Sequence, residues 1–452
     1  MPLCLDERPM DSPPLNILYL HVHDMGRYCG PYGYALETPN MQKLAERGIV
    51  FRDAHCAGPT CSPSRAALLT GQCPHLCGML GLAHRGWRLR DYGRHVVHML
   101  HRRGYRSALC GVQHICNPPY GDPSREIGYD EVLGLSHDGP ATAERAAEWL
   151  VGVGNARQPW FFSVGFVDTH RDFAEPEAQT HPAEDWRYTR PPAPLPDTPQ
   201  CRHDMAAYAA EARRTDEHFG RVLDALSASG QESNTLVICT TDHGIAFPMM
   251  KCNLTHHGTG VALIMAGPAG FEGGQVCDAL VSHLDIYPTI CELTGADKPN
   301  WIEGRSLMPL VRGETDEINE QVFAEVSWHA GYEPMRSVRT KRHNYVRRFG
   351  DGNAVLANCD DSASKDACLA AGWAERRQPA EELYDLILDS NEASNVAEDP
   401  RYAEVLADMR GRLDGWMERT EDPLLQGPIA AQRGFVVCPQ GASSPGETCV
   451  VE

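Results

Sequence analysis

Short runs of apolar, β-branched residues alternate with longer amphipathic segments along most of the chain, and this alternation limits the possible folds more than any other feature. The apolar runs predict buried strands at residues 16–21, 49–54, 107–111, 160–167, 235–240 and 261–266. The amphipathic segments predict helices at residues 39–47, 94–103, 141–151 and 204–227. We therefore expect an α/β protein with a mainly parallel sheet between layers of helices.

Polar residues and glycine at the predicted helix ends support this assignment. Asn40 and Asp204 are expected to cap the first and last of these helices, because short polar side chains accept hydrogen bonds from free backbone N–H groups. Gly48 is expected to end the first helix in the left-handed conformation, which glycine adopts without steric cost.

The chain of 452 residues is long enough for two domains, and its composition changes near residues 313–319. Short strand patterns at 321–326 and 335–339 and a helical pattern at 402–419 follow this change. We predict a larger domain at residues 15–318 and a smaller α+β domain with an antiparallel sheet at residues 319–452. The Pro-rich stretch at 176–199 is interpreted as a surface excursion.

Charge and composition exclude some partners and suggest a compartment. The formal net charge of -20 argues against nucleic acid and anionic membranes as partners. No apolar run is long enough for a membrane span, and the N-terminus lacks the regions of a signal peptide. The 17 cysteines, few of which have zinc-site or disulfide-scaffold spacing, favour free thiols and a cytoplasmic location. The alternative to free thiols is a disulfide bond between Cys359 and Cys368 and another between Cys438 and Cys449.

Two pairs of potential metal ligands follow predicted strands. His23 and Asp24 come after the strand at 16–21, and Asp242 and His243 come after the strand at 235–240. Because parallel strands present their ligand-binding loops at the carboxyl edge of a sheet, we expect both pairs at one edge. The mirrored composition predicts a single shared cation.

A third cluster, Cys61 to Arg65, lies at the start of a predicted helix. Pro63 suits the first turn, and the sequence Ala-Ala-Leu-Leu after Arg65 continues the helix. Free N–H groups and the positive end of the helix dipole attract anions there, and Arg65 offers two parallel donors to a tetrahedral oxyanion. These residues predict an anion site that contains a thiol, and a thiolate nucleophile like that of cysteine phosphatases is one interpretation.

The pentapeptide Cys61-Ser62-Pro63-Ser64-Arg65 resembles the C-x-P-x-R signature of type I sulfatases, in which the cysteine is oxidised to formylglycine. Further stretches resemble this family, most closely its heparan N-sulfatase (sulfamidase) branch, at residues 59–71, 78–82, 241–248, 334–338, 382–386 and 395–400. The resemblance implies an alkaline-phosphatase-like fold whose smaller domain completes the substrate pocket. It also implies hydrolysis of a sulfate ester or N-sulfate of a sugar, and a separate maturation enzyme that makes formylglycine from Cys61.

The resemblance implies roles for individual residues. The catalytic positions fall on Cys61, Arg65, His114, His170 and Lys251, and the metal positions fall on His23, Asp24, Asp242 and His243. The family usually has aspartate where His23 stands. Calcium is the metal implied by the family, but His23 and His243 make manganese or zinc an alternative, since imidazole suits these ions.

Some assignments stay open at this level. In the family, a lysine lies two residues before the histidine that corresponds to His114, and here Val112 occupies that position. The candidate substrate contacts are His84, Arg85, His329 and Arg336. A phosphonate monoester or phosphodiester hydrolase that uses the same hydrated aldehyde is the alternative enzyme. A binder of sulfated sugars without catalytic activity is the alternative outside enzymes. The oligomeric state is open, and a homo-oligomer is one option.

Overall fold

The computed structural model describes residues 14–117, 122–153, 157–173 and 185–452. The strands of its larger sheet are β1 (Asn16–Val22), β2 (Ile49–His55), β3 (Arg106–Gly111), β4 (Glu131–Val132), β5 (Trp160–Phe166), β6 (Thr235–Thr241), β7 (Leu263–Ala266) and β8 (Gln275–Ser282). They lie in the order β4-β3-β5-β1-β6-β7-β2-β8. Only β7 is antiparallel to its neighbours, so the predicted mainly parallel sheet is confirmed.

Helices cover both faces of this sheet. The α-helices are α1 (Pro39–Arg47), α2 (Cys61–Thr70), α3 (Pro74–Cys77), α4 (Val96–Arg102), α5 (Pro123–Glu126), α6 (Gly139–Gly152), α7 (Pro199–Ala228), α8 (His256–Thr259), α9 (Ile286–Thr294), α10 (Met308–Val311), α11 (Ala363–Ala370) and α12 (Ala403–Arg419). Ile17 and Tyr19 of β1 belong to a core with α2, α4 and α9, whereas Leu18 and Leu20 belong to a core with α1, α6 and α7. This alternation is the period of a strand buried on both faces.

The smaller sheet is antiparallel, as predicted. Its strands are β9 (Val322–Trp328), β10 (Tyr332–Arg339), β11 (His343–Arg348) and β12 (Glu381–Asp385), in the order β12-β11-β10-β9. Helix α12 packs on it through Leu413 and Trp416, which share a core with Val338 and Tyr345. A terminal hairpin pairs β13 (Val436–Val437) with β14 (Cys449–Val450). The domain boundary between residues 318 and 319 stays a prediction; it lies between α10 and β9.

The long helix α7 begins earlier than predicted. Thr198 caps it, with its side chain accepting a hydrogen bond from the Cys201 N–H, and Pro199 occupies the first turn. Asp204, the predicted cap, lies inside the helix. Its carboxylate instead accepts two hydrogen bonds of 2.7 Å from Arg171.

Two expectations about α1 were also wrong. Asn40 is a residue of the helix, and its side chain donates to Asp216 at 2.9 Å instead of capping the helix. Gly48 ends the helix with φ -119°, outside the left-handed region. Glycine is required there for a different reason, because a Cβ atom would lie 2.4 Å from the carbonyl oxygen of Met265.

The remaining structural expectations have mixed outcomes. Of the excursion at 176–199, residues 176–184 lie outside the described residues, and residues 185–198 form turns without a helix or strand. Within the described ranges no helix is long and apolar enough to cross a membrane. Each cysteine in those ranges is a free thiol, including the residues proposed as pairs. The cytoplasmic location stays a prediction.

Candidate active site and metal centre

Four neighbouring parallel strands, β3, β5, β1 and β6, end at one edge of the larger sheet. Polar side chains follow each strand: His114 follows β3, His170 follows β5, His23 and Asp24 follow β1, and Asp242 and His243 follow β6. The two Asp-His pairs meet directly, since the Asp24 N–H donates to Asp242 Oδ1 at 2.8 Å. The sheet therefore brings both pairs to one place, at the edge where α/β proteins bind ligands.

Cys61 is the first residue of α2, and its thiol lies beside both pairs. Sγ lies 3.3 Å from His243 Nε2 and 3.9 Å from Asp24 Oδ1. Burial raises the pKa of the Cys61 thiol well above its ordinary value, and Lys251 opposes this only in part. A thiol with a raised pKa is a poor nucleophile, so the structure disfavours the thiolate mechanism that the sequence left open.

The two carboxylates of the cluster are ionised although both are buried. Burial acts to raise the pKa of Asp24, but the positive charge of Lys251 is the main influence that holds it at about 2. Burial likewise opposes the ionisation of Asp242, and His243 and Arg65 hold its pKa well below the ordinary range. Two negative charges this close require positive charge nearby.

The imidazoles of this cluster face these carboxylates with ring nitrogen atoms that make no hydrogen bond to them. His243 Nδ1 donates to the Gly244 carbonyl at 2.9 Å, which leaves Nε2 on the side of the carboxylates. That nitrogen lies 3.2 Å from Asp24 Oδ1 and 3.6 Å from Asp242 Oδ2. On the other side, His23 Nδ1 is buried 3.1 Å from Asp242 Oδ2 and makes no hydrogen bond to a described residue. Lone pairs that face ionised oxygens repel them unless a cation lies between.

Three residues of this donor set, His23, Asp24 and Asp242, belong to a group that could hold a cation. One possible ligand atom from each of four residues lies within 4.8 Å of the others, namely those of His23, Asp24, Cys61 and Asp242. Burial, together with the nearby Arg65, lowers the pKa of His23 to about 3. The imidazole is therefore neutral, which is the form that binds metals.

Arg65 connects the start of α2 to the strands behind it. The side chain is almost fully buried, and Nε and Nη2 donate to Asp242 Oδ2 at 3.2 and 3.1 Å. Nη1 donates to Nδ1 of His21 at 2.6 Å, and the other ring nitrogen of His21 lies 3.1 Å from Ser163 Oγ. Arg65 thus balances the negative charge of Asp242 and fixes the position of its carboxylate. His21 was not predicted, because inside a strand nothing distinguishes it from a packed core residue.

Lys251 is the cation closest to Asp24, and its second partner was not predicted. Nζ lies 2.9 Å from Asp24 Oδ2 and 3.1 Å from Asp360 Oδ2. Burial would lower the pKa of Lys251, but Asp24 and Asp360 raise it well above its ordinary value, so Lys251 is charged. Asp360 comes from the loop between β11 and α11, where no sequence pattern marks it as a site residue.

A pocket of about 510 Å³ opens beside the cluster and is lined in part by His84, His114 and His170. His84 Nδ1 lies 3.0 Å from His114 Nε2, and the two rings are stacked. His170 Nδ1 donates to the Arg171 carbonyl at 2.5 Å, which leaves Nε2 facing Asp24 Oδ2 at 3.9 Å. Both predicted catalytic histidines therefore have a ring nitrogen at this pocket or at the carboxylate pair.

The predicted substrate contacts separate into different environments. His84 lines the pocket, as does Val112 at the position of the missing lysine. His329 is buried close to Lys251: burial, reinforced by the lysine charge, holds its pKa well below the ordinary value. Arg85 lies on the far side of His84 and lines a second cavity.

Arg336 is not brought to the site, so the expectation of a substrate contact does not fit the structure. Its side chain is fully buried. Nη2 lies 3.1 Å from Glu325 Oε2, and Nε lies 2.5 Å from Asp422 Oδ2. Two carboxylates already neutralise this guanidinium, which leaves it a structural role.

Together, these features are typical of a hydrolase that acts on tetrahedral anions. Comparison with known proteins narrows that class. The family model described as Sulfatase matches residues 16–296, and the model described as the C-terminal region of N-sulphoglucosamine sulphohydrolase matches residues 251–356. The chain belongs to the sulfatase family, and the prediction of a sulfatase is confirmed.

Individual relatives agree with this assignment. The human N-sulphoglucosamine sulphohydrolase is 30% identical, over 92% of this chain and 92% of the human protein. A solved sulfatase-family structure from Bacteroides fragilis matches with a TM-score of 0.75 at 21% identity, over 93% of this chain and 99% of that one. A phosphonate monoester hydrolase from Silicibacter pomeroyi matches with a TM-score of 0.70 at 19% identity, over 91% and 96%, which is a likeness of fold alone.

Proposed function

We propose that this protein hydrolyses the N-sulfate or a sulfate ester of a sugar, with a formylglycine made from Cys61 as nucleophile and one divalent cation beside it. The observation that carries the proposal is the position of Cys61 at the start of α2, within 3.3 Å of His243 and 3.9 Å of Asp24. An enzyme that modifies the unfolded chain at Cys61 is the partner this requires, because the side chain is buried after folding.

The cation would be held by His23, Asp24, Asp242 and His243. A divalent cation there supplies positive charge that polarises the nucleophile and the sulfate oxygens. Two carboxylates neutralise its charge, and the two imidazoles make the donor set softer than an all-oxygen cage. We therefore favour manganese or zinc over the calcium implied by the family resemblance.

The protein side chains account for the remaining needs of the reaction. Arg65 holds Asp242 in place, and its positive charge acts on the position of Cys61. The charged Lys251 stabilises negative charge on the sulfate as it develops, which is where a fixed cation contributes most. In the hydrolysis one hydroxyl oxygen of the hydrated formylglycine would form a new S–O bond while the S–N or S–O bond to the sugar breaks and the sugar nitrogen or oxygen takes up a proton. Removal of the proton of the second hydroxyl would then break the C–O bond to the sulfate, release sulfate and restore the aldehyde, which water hydrates again.

His170 and His114 are the proton carriers in this proposal. His170 Nε2 faces the pocket side of Asp24 and would donate the proton to the leaving group. His114 lies across the same pocket and would take the proton of the second hydroxyl of the hydrated formylglycine. Burial holds the pKa of His114 well below the ordinary value, so its ring is neutral before the reaction. Because Val112 stands where the family has a lysine, one cation that would bind the sulfate is missing. His84, 3.0 Å from His114, is placed to donate a hydrogen bond to the sulfate instead.

The N-sulfate is the substrate to test first. The C-terminal family model belongs to an N-sulphoglucosamine sulphohydrolase, and the human relative of that name aligns over nearly the whole chain. The phosphonate monoester hydrolase resembles this chain in fold only. An active site for tetrahedral anions admits both groups, so relative turnover has to separate them.

The test is to co-express the protein with a formylglycine-generating enzyme and to analyse the Cys61 peptide by mass spectrometry. We expect conversion of the thiol to the aldehyde, and turnover of glucosamine N-sulfate or an O-sulfated glucosamine that exceeds turnover of an aryl phosphonate monoester. Cys61→Ala should abolish turnover, whereas Cys239→Ala, a buried cysteine inside β6, should retain it. An unmodified Cys61 peptide in an active enzyme would overturn the proposed nucleophile.

A further inference from the structure

A cavity apart from the active-site pocket is lined mainly by cationic side chains. Its volume is about 310 Å³, within the range of roughly 300–1,000 Å³ typical of small-molecule sites. We call it the arginine cavity and define it by Arg27, Arg52, Arg339 and Lys341. Of the residues that the structure describes, none lines both this cavity and the active-site pocket. The arginine cavity is therefore a space of its own.

The four cations of the arginine cavity come from three parts of the chain that only the fold brings together. Arg27 lies in the loop after β1, and Arg52 lies within β2. Arg339 is the last residue of β10, and Lys341 lies in the turn before β11. The larger and the smaller sheet thus both contribute to the wall. In a chain with a net charge of -20, four cations around one cavity create a local positive potential, which attracts anions.

Arg27 lacks a carboxylate partner among the residues that the structure describes. Its one hydrogen bond to these residues runs from Nη2 to the Ala54 carbonyl, and at 3.4 Å it is weak. Its Nε is buried and has no hydrogen-bond partner there. Gly260 leaves room for this guanidinium, because a Cβ atom at Gly260 would lie 2.3 Å from Nη2. A half-buried charge with so few partners is suited to an anion that enters from solvent.

Arg339 is more deeply buried, at 8% exposed, and is matched only in part. Its Nη1 lies 3.1 Å from each carboxylate oxygen of Glu392. Glu392 is shared, since its Oε2 also lies 2.6 Å from His256 Nδ1. The Nε of Arg339 is buried and makes no hydrogen bond to a described residue. Because a guanidinium has five N–H donors, Arg339 keeps donors for a further partner.

Carboxylates offset part of the positive charge but not all of it. Asp53 is the one carboxylate that the described residues contribute to the wall, and its Oδ1 lies 2.9 Å from His55 Nε2. Burial acts to raise the pKa of Asp53, but the hydrogen bond to His55 holds it well below the ordinary range, so Asp53 is ionised. Lys341 has its own partner, Glu317, at 3.0 Å. Arg52 is exposed and pairs with no carboxylate of the described ranges, so the wall keeps an excess of positive charge.

We propose that the arginine cavity binds a doubly charged tetrahedral oxyanion, sulfate or phosphate, either free or as the monoester of a small molecule. Arg27 and Arg339 contact the anion from inside the cavity, and Arg52 contacts it from the rim. Guanidinium groups present paired N–H donors that match the oxygen atoms of such anions. This site is additional to the active site and does not depend on the proposed reaction.

The test is calorimetric titration with sodium sulfate, sodium phosphate and glucose 6-phosphate at constant ionic strength, so that screening is the same throughout. The wild-type protein and Lys251→Ala are titrated in parallel, because the substitution weakens anion binding in the active site. We expect one of the three anions to bind to both proteins with similar affinity. The three titrations show whether free sulfate, free phosphate or a monoester is preferred.

Variants locate the binding that survives Lys251→Ala. Arg52→Gln in that background should weaken it about tenfold or more, and Arg27→Gln should weaken it further. Arg102→Gln is the matched control: it removes an exposed arginine of α4, which packs on the other face of the larger sheet from Tyr32, and should leave the affinity unchanged. No anion binding in Lys251→Ala, or binding of unchanged affinity after Arg52→Gln and Arg27→Gln, overturns the inference.

Turnover separates this site from the active site. Arg27 lies three residues after Asp24, so Arg52→Gln in the otherwise wild-type protein is the variant to assay. We expect its kcat and KM for a sulfated sugar to stay within about twofold of wild type, although anion binding in the arginine cavity is weakened. Loss of binding and of turnover together would make the cavity part of the active site and contradict the inference. If wild type turns over no sulfated sugar but the binding pattern holds, only the proposed function fails.

Discussion

Two buried clusters of this protein contain the same kinds of side chain but are built differently. The edge cluster consists of His23, Asp24, Asp242 and His243 at the carboxyl edge of the larger sheet. The brace cluster consists of His75, Glu325, Arg336 and Asp422, which come from α3, β9, β10 and the segment after α12. Both combine histidine with two carboxylates, and every one of these residues is almost fully buried.

In the brace cluster, positive charge already faces the carboxylates. His75 Nδ1 lies 2.9 Å from Glu325 Oε1, and Arg336 forms ion pairs with both Glu325 and Asp422. Burial would lower the pKa of His75, but Glu325 raises it above its ordinary value, which favours the protonated ring. The cluster therefore needs no further ion.

In the edge cluster, the imidazole nitrogen atoms face oxygen atoms of the carboxylates without donating to them, and the pocket beside them is open. Burial lowers the pKa of His23 to about 3, the opposite direction from His75. Both clusters thus share deep burial, histidine and a pair of carboxylates. Arg65 and Lys251 also pair with the carboxylates of the edge cluster. What separates the two clusters is therefore the imidazole nitrogen atoms of the edge cluster, which face the carboxylates beside an open pocket without donating to them.

The largest effect that tests this contrast is on stability. Arg336→Met leaves Glu325 and Asp422 buried without their cation, and we expect the free energy of unfolding to fall by about 3–5 kcal/mol. Denaturant titration measures it. Arg401→Met removes an ion pair with Asp399 that lies in solvent and is screened by it, so the free energy of unfolding should stay close to that of wild type. Arg336→Met with normal stability and lost turnover would instead restore the substrate contact predicted from sequence.

Substitutions of two buried lysines, Lys251 and Lys365, test the same contrast through catalysis. Lys251→Ala should lower kcat by about 10²–10³-fold, because a fixed cation at the site stabilises charge in the transition state. Lys365 is equally buried but donates to the carbonyl groups of Cys359 and Ser443, so Lys365→Ala should lower the melting temperature more than kcat. Unchanged kcat together with a large loss of melting temperature in Lys251→Ala would show that this lysine belongs with the brace.

The comparison also explains how far sequence alone reached. The strands and the two Asp-His pairs were predicted because apolar runs are local, and residues just after parallel strands meet at one edge. Strand β8 was missed, and β11 and β12 were expected only as a hairpin-like stretch without bounds. These strands are exposed in part and charged: Arg348 of β11 pairs with Glu382 of β12 across the sheet. Asp360 was missed because its partner Lys251 is far away in sequence and no motif joins them.

The assignment of Arg336 shows the limit most clearly. Its sequence neighbourhood resembles the sulfatase family, so a functional role was a reasonable hypothesis. Whether an arginine faces a pocket or a pair of carboxylates depends on residues such as Glu325 and Asp422, which only the fold brings together. The opposite case is Arg27, whose lack of a carboxylate partner among the described residues is also visible only in the structure.

A smaller effect is expected on metal preference. His23→Asp replaces an imidazole of the edge cluster by an oxygen ligand, and we expect the ratio of zinc or manganese to calcium affinity to fall by about tenfold, or about 1.4 kcal/mol. Reactivation of the chelated protein by each ion measures it. His95→Asn, at the buried cap of α4, is the matched control and should keep the wild-type order. If His23→Asp also keeps that order, His23 is not a ligand.

The smallest effect is the pH dependence of the brace cluster. Burial acts to raise the pKa of Glu325, but His75 and Arg336 lower it from 4.5 to about 2. Because the folded pKa lies below the unfolded one, the stability from this carboxylate is present above pH 4.5 and is lost as the pH falls toward 2. The difference in unfolding free energy between wild type and Glu325→Gln should therefore shrink below pH 4.5. A difference that stays constant down to pH 3 would contradict the ion-pair account.

The most direct test of the central claim is the metal content of three proteins purified in parallel: wild type, Asp242→Asn and Glu325→Gln. Inductively coupled plasma mass spectrometry gives the ions bound per chain after exhaustive dialysis. We predict one divalent ion in wild type, loss of that ion in Asp242→Asn, and full retention in Glu325→Gln at any temperature where it is folded. Retention in Asp242→Asn together with loss in folded Glu325→Gln would place the metal in the brace cluster and contradict the account.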